Sequence, residues 1–203
     1  MKKYELTEET VTVYGKTLYR IRAVRDFGSV KTGEFGGYIE KEENLSHFGN
    51  AWVSGNAWVF DNARVYDNAR VYDDTWVYGN ARVYDNAWVF GNAWVFGNAK
   101  VYDDAWVCGD AKVYGDAWVS GNAEVFNTRH FFVQGPIGSR NGFITFYRTK
   151  DNTVEVRCGC FSGSLQKFVD RVEETHGGSR YEKEYKLAAE LAKVCIRLEG
   201  ESR

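Results

Sequence analysis

The sequence predicts a mainly β protein built on a parallel β-solenoid, and three observations lead there. A valine returns at every sixth residue from Val53 to Val125, thirteen positions without a slip. Four residues after each valine stands an alanine, Ala57 through Ala123, with Thr75 the one substitution before Arg129 ends the series. Between valine and alanine come Gly or Asp and then Asn or Asp. Each choice has a mechanical reason. A β-branched residue between two outward neighbours suits a short strand. Gly/Asp followed by Asn/Asp suits a turn containing a left-handed residue. Alanine fits where the chain corners against a core. Valines six apart advance by about 240° around a helix and form no stripe, so a helix is excluded. Pentapeptide and calcium-binding nonapeptide solenoids have the wrong repeat length.

The repeated unit over residues 39–128 resembles the hexapeptide-repeat family, whose unit is an aliphatic residue, three variable residues, a small residue and one more. The resemblance implies three hexads per coil, a triangular prism and a left-handed wind, hence a left-handed parallel β-helix. Thirteen hexads give a little over four coils, and Ile39 and Leu45 begin one more. Leu45 and Val53 are eight apart, which places a two-residue insertion near His47.

With three hexads per coil, residues eighteen apart stack on one face. The first face carries Trp52, Arg70, Trp88, Trp106 and Glu124 beside Ser54, Tyr72, Phe90, Cys108 and Phe126. The second carries Trp58, Trp76, Trp94 and Lys112 beside Phe60, Tyr78, Phe96 and Tyr114. The third carries Arg64, Arg82, Lys100 and Trp118 beside Tyr66, Tyr84, Tyr102 and Ser120. Aromatic stacking along a solenoid stabilises neighbouring rungs in its own right. Seven aromatics on the second face nevertheless exceed the apolar patch usual on a monomer, about 300–600 Å². An oligomer interface is therefore expected at Trp58, Phe60, Trp76, Tyr78, Trp94, Phe96 and Tyr114. The family resemblance favours a trimer over a dimer. The third face alternates cations with tyrosines, but Asp67, Asp73, Asp74, Asp85 and Asp103 at the corners are expected to cancel the charge, which disfavours nucleic acid.

A solenoid exposes strand edges at both ends, so each end needs a lid. Upstream, residues 1–38 read as a cap in which VTVYGKTLYRIRA forms a hairpin about Tyr14-Gly15-Lys16. The stretch from Thr17 to Val53 resembles the opening of bacterial and prophage-encoded hexapeptide-repeat proteins of unassigned activity. Downstream, residues 129–203 read as a small α+β domain of ββαα order. FITFYRT and VEVRCGC flank a Lys150-Asp151-Asn152 turn as a second hairpin. One helix begins after Ser164, presents Leu165, Phe168, Val169 and Val172, and ends at Gly177. The other opens with a capping box at Ser179 and Glu182 and presents Leu187, Leu191, Val194 and Leu198.

Composition narrows the function. Formal net charge is −2, so no long-range field draws the chain to nucleic acid or an anionic membrane. No stretch approaches the roughly 20 apolar residues of a membrane span. The N-terminus lacks the apolar run of a signal peptide, and Cys108, Cys158, Cys160 and Cys195 show no secreted spacing, so a cytoplasmic location with reduced thiols is expected. Neither metal nor cofactor is expected. The Cys158/Cys160 pair lacks a second pair, and small buried positions under a helix are the favoured reading.

Hexapeptide-repeat proteins are often acyltransferases with a histidine as general base, which makes acetyl-CoA chemistry the alternative function. His47 is the candidate base, at the sole insertion, yet packing within the cap is the favoured role. The uninterrupted run from Val53 to Val125 also lacks the loop that closes an acceptor site in such enzymes. The strongest binding signal is GPIGSRNG (135–142), which combines free N–H groups, a hydroxyl and an Arg fork able to cradle an anion. A connector between solenoid and appendage is weighed slightly ahead of it. Ser139, Arg140, Thr145, Arg148, Arg157 and His176 are the candidate ligand-binding residues. The sequence thus points to a non-catalytic, oligomeric, phage-type binding protein whose C-terminal domain holds a small anionic or nucleotide-like ligand or a host protein. A structural polymer is a further alternative.

Overall fold

A computed structural model describes residues 2–199 of the chain. Thirteen two-residue strands, β4 (Trp52–Val53) through β16 (Glu124–Val125), recur every six residues. They sort into three parallel sheets in which each strand pairs with the one eighteen residues away, as Trp76–Val77 does with Trp94–Val95. The three faces are therefore those expected. Every repeat valine is fully buried, and so are the corner alanines. This follows from alternation, because a two-residue strand with one inward side chain leaves room in the prism only for valine and alanine. Backbone N–H groups on both sides of each valine from Val53 to Val107 bond to carbonyls one coil on, as from Trp76 to Ala93 and Tyr78 to Val95.

The corners explain the Gly/Asp and Asn/Asp positions. Gly79, Gly91 and Gly97 adopt φ of 71–72°, and at Gly79 an added Cβ would lie 3.1 Å from the backbone nitrogen of Gly97. Asp61, Asp73 and Asp103 take the same left-handed conformation. Their carboxylates accept the N–H of the next corner, from Gly79, Gly91 and Gly121 respectively. The following Asn residues form side-chain ladders, Asn62 to Asn80 to Asn98 to Asp116 among them. On the faces, Tyr66, Tyr84 and Tyr102 stack at 4.9 and 5.0 Å with rings 2° from parallel.

The first coil is irregular as expected. Ile39 pairs with Val59 and Leu45 with Val65, each twenty residues apart, which is eighteen plus the two inserted. The insertion brings the N–H groups of both Asn50 and Ala51 to the carbonyl of Asp67 and leaves Phe48 in solvent. Buried Asn44, closing a 3-10 turn (Glu42–Asn44), donates to the carbonyls of Asp61 and Ala63. Before it, strands β1 (Tyr4–Val13) and β2 (Lys16–Ala23) form the hairpin about Tyr14 and Gly15. Strand β3 (Phe35–Ile39) joins that hairpin to the second face, making one seven-stranded sheet.

At the other end the structure corrects the ββαα order. Four antiparallel strands are present: β17 (Phe131–Ile137), β18 (Gly142–Arg148), β19 (Val154–Cys158) and β20 (Phe161–Ser164). The segment 135–142 is no connector; it ends β17 and turns into β18, with Gly138 and Asn141 in left-handed conformations. One side of this sheet closes the prism, with Phe131 and Tyr147 joining the solenoid core. The other packs Ile144, Phe146 and Val156 under helices α1 (Leu165–His176) and α2 (Arg180–Cys195). Ser164 caps α1 by accepting from the Lys167 N–H, and Ser179 caps α2 by accepting from Glu182. Glu182 reaches back to the N–H of Gly178, one residue earlier than a capping box requires.

The apolar face expected for α2 is a second correction. Leu187, Leu191 and Val194 are 70%, 46% and 79% exposed, and Tyr185, Ala188, Ala189 and Ala192 are buried in their place. Only Leu198 of the expected set packs against the sheet. No helix among the described residues is long and apolar enough to cross a membrane.

Candidate functional site

The last coil, the β17–β18 turn, strands β18 and β19 and the turn after β19 line a cleft of about 340 Å³. Strand register builds its floor. Thr145 of β18 lies directly opposite Arg157 of β19, so both project from the side that faces the solenoid. Thr145 is buried, and its hydroxyl accepts the N–H of Trp118 at 3.0 Å, fixing the end sheet to the third face. Arg157 donates from Nε to the Tyr102 hydroxyl at 2.7 Å, with its guanidinium 5.3 Å from that ring. This contact uses Nε, and Arg157 also lines the cleft. Arg140 enters from the turn and is exposed. Neither arginine has an ion-pair partner among the described residues.

The walls are aromatic. Trp118 and Phe143 both line the cleft, and the Lys100 ammonium sits 4.1 Å from the Trp118 ring centroid, adding a third cation. One acid is present, Asp116, whose carboxylate accepts from Asn98 at the head of an asparagine ladder. Beneath the sheet, burial raises the Tyr147 phenol above its usual range, ahead of the opposing effect of its hydrogen bond to Ser120, so it stays neutral. The arrangement suits a planar anion held by forked donors between apolar rings.

Of the six residues singled out in the sequence, Arg140, Thr145 and Arg157 meet here. Ser139 lies beside them on the exposed turn but does not line the cleft. Arg148 points elsewhere. It is 2% exposed, stacks on Phe126, and binds Asn152, Glu124 and Glu199, locking the sheet to the last coil. His176 ends α1 on the far side of the sheet, packed against Tyr181 and Tyr185. Trp118 and Phe143 were not among the residues singled out. The eighteen-residue spacing carries the signal for Trp118, which replaces a cation where the third face meets the cap.

The other chemical candidates are packing groups. His47 stacks on Tyr4 at 4.3 Å and accepts the Lys3 N–H. His130 is buried, accepts from the Phe126 N–H, and has its pKa lowered first by burial and then by Arg148. Cys158 is half-buried with its thiol pKa raised, chiefly by burial. Cys160 is exposed in the β19–β20 turn, contrary to the expectation of a buried pair. No group of His, Cys, Asp and Glu among the described residues could hold a metal ion.

The second face is partly covered by its own chain. Val13 and Leu18 of the hairpin pack on Phe60, with Trp58, Trp76 and Tyr78 around them, and Tyr14 lies against Phe60 and Trp76. Trp94 and Phe96 are half-buried and Tyr114 is exposed.

No curated protein matches the chain. Residues 63–79, 77–91 and 81–97 match the YdcK β-solenoid repeat. With the parallel register described above, these matches make the chain a β-solenoid repeat protein, similar through its middle coils to the YdcK repeat.

Proposed function

We propose that this β-solenoid protein is a non-catalytic binding protein, and that the cleft between its third face and its end sheet captures a small, planar, anionic ligand of the nucleotide class. The observation that carries this reading is the convergence of Arg140 and Arg157, both without ion-pair partners among the described residues, on a cleft walled by Trp118 and Phe143. A concave site with unlike groups favours a small ligand over a flat contact with a host protein. Phage-type origin and a cytoplasmic setting belong to the same reading; the four free thiols agree with the latter. The acyltransferase alternative rests on family resemblance, and no histidine lines this cleft.

Calorimetric titration with a panel of nucleoside mono-, di- and triphosphates tests the proposal. Arg140→Ala and Arg157→Ala should each weaken binding by about 10- to 100-fold, the value of a charge-assisted hydrogen bond of about 1.5–3 kcal/mol. Equal affinity in wild type and both variants would refute the assignment.

Homo-oligomerisation is a second proposal, favoured by one observation. Trp94, Phe96 and Tyr114 continue the second-face aromatic rows beyond the reach of the hairpin, so a second copy would seat there, trimer before dimer.

A further inference from the structure

At the opposite end of the solenoid, three cations crowd together with no carboxylate bonded to any of them among the described residues. Lys3 is fully buried; its ammonium donates to the Ala51 carbonyl at 2.7 Å and lies 4.9 Å from the Phe27 ring centroid. Phe27 packs edge-on against Trp52 at 5.3 Å, and Trp52 is paired in register with Arg70. Arg70 reaches back to donate to the Ser29 hydroxyl at 3.0 Å, across the turn Phe27–Val30. Arg25 precedes that turn. Burial, then Arg25, then Arg70 lower the Lys3 pKa to about 8, so the three positive groups act on one another.

None of the three forms an ion pair among the described residues. The nearest acid in sequence, Asp26, is turned away to Lys31 and Thr32. Two buried donors in this cluster also lack any acceptor: Arg25 Nε and Trp52 Nε1. A buried donor left unsatisfied is costly, and a fold that gathers like charges around such donors leaves an acceptor of negative charge as the missing component.

We propose that this cluster is a second anion site, distinct from the cleft at the far end, where a free inorganic oxyanion of the phosphate class sits on the Arg25 and Arg70 guanidiniums beside the Ser29 hydroxyl. Lys3 supplies positive field from beneath without direct contact. The bound ion ties the turn Phe27–Val30 to the first coil, joining the N-terminal cap to the prism.

The test is the unfolding midpoint of the full chain titrated with inorganic phosphate, against sodium chloride at matched ionic strength, with calorimetry of phosphate binding alongside. Wild type should show a saturable rise that chloride does not reproduce. Arg25→Gln and Arg70→Gln should each weaken it about tenfold or more, while Arg171→Gln on the exposed surface of α1 keeps it intact. A rise equal to that in chloride overturns the proposal, and so does a saturable rise retained by both variants. A rise lost only in Arg140→Ala also overturns it, because the ion then occupies the cleft. If Arg70→Gln does not fold, Ser29→Ala and Arg25→Gln decide the matter by the same readout.

Discussion

Lys3 is held against two arginines with only carbonyl oxygens and a phenyl ring for company. Its folded pKa of about 8 lies below the value of about 10.4 for an unfolded lysine. The sign follows from proton counting. Between about pH 8 and 10.4 the unfolded chain binds more protons than the folded one, so this residue's contribution to stability rises with pH across that window. Below it both states are protonated and the penalty is at its full value. Chloride-buffered unfolding midpoints of wild type and Lys3→Met should therefore differ least near pH 10 and most near pH 7.5, with the Met protein the more stable. Parallel curves would show that the lysine proton is not strained. Among the site residues, strand parity separates Arg148 from Thr145, three positions apart on β18 and hence on opposite sides of the sheet. That distinction was legible in the sequence. The burial of Arg148 was not, because its partners Phe126 and Glu124 of the last coil and Glu199 after α2 are distant in the chain and come together only in the fold.

At the scale of elements, the solenoid strands, both hairpins and the starts of both helices were legible because each rests on a local rule: period, turn chemistry or a capping hydroxyl. Strands β17 and β20 escaped because their sequences, FFVQGPI and FSGS, carry glycine, proline and polar residues, and only backbone pairing with β18 and β19 makes them strands. Helix α2 misled for another reason. It carries two stripes, one of leucine and valine and one of alanine, and hydrophobicity favours the first. Close approach to the sheet selects the second, since alanines let the helix backbone settle on Phe146 and Phe168 where leucines would hold it off. Leu187→Gln and Val194→Gln should thus change stability by less than about 0.5 kcal/mol in urea unfolding. Ala189→Leu should cost about 1–3 kcal/mol by overpacking. A large loss in the glutamine variants together with a neutral Ala189→Leu would mean that α2 is rotated from the orientation described.

For the whole molecule, the decisive property is that each coil contacts only the coils above and below it, so stability is a sum of coil and interface contributions. The hairpin sheet closes one end and the four-stranded sheet the other, and the core runs unbroken from Tyr4 through the valine columns to Tyr147. A fault at the centre therefore separates two halves that each keep only one lid. Val89 occupies that position, fully buried between Val71 and Val107. The carbonyl of Val89 already accepts the Tyr72 N–H, and the neighbouring Phe90 N–H is given to Val107. Val89→Asp would place a carboxylate among valines and alanines with no free donor, a burial the fold cannot compensate. Circular dichroism should show loss of strand signal and of a single cooperative transition. Val89→Thr, nearly isosteric, should only lower the midpoint, because an uncharged hydroxyl costs far less to bury than a carboxylate, and the prism already accommodates one at the corner position, where buried Thr75 donates to the Tyr72 carbonyl. An Asp variant melting like wild type would require Val89 to face solvent, and with it the entire valine column of the first face.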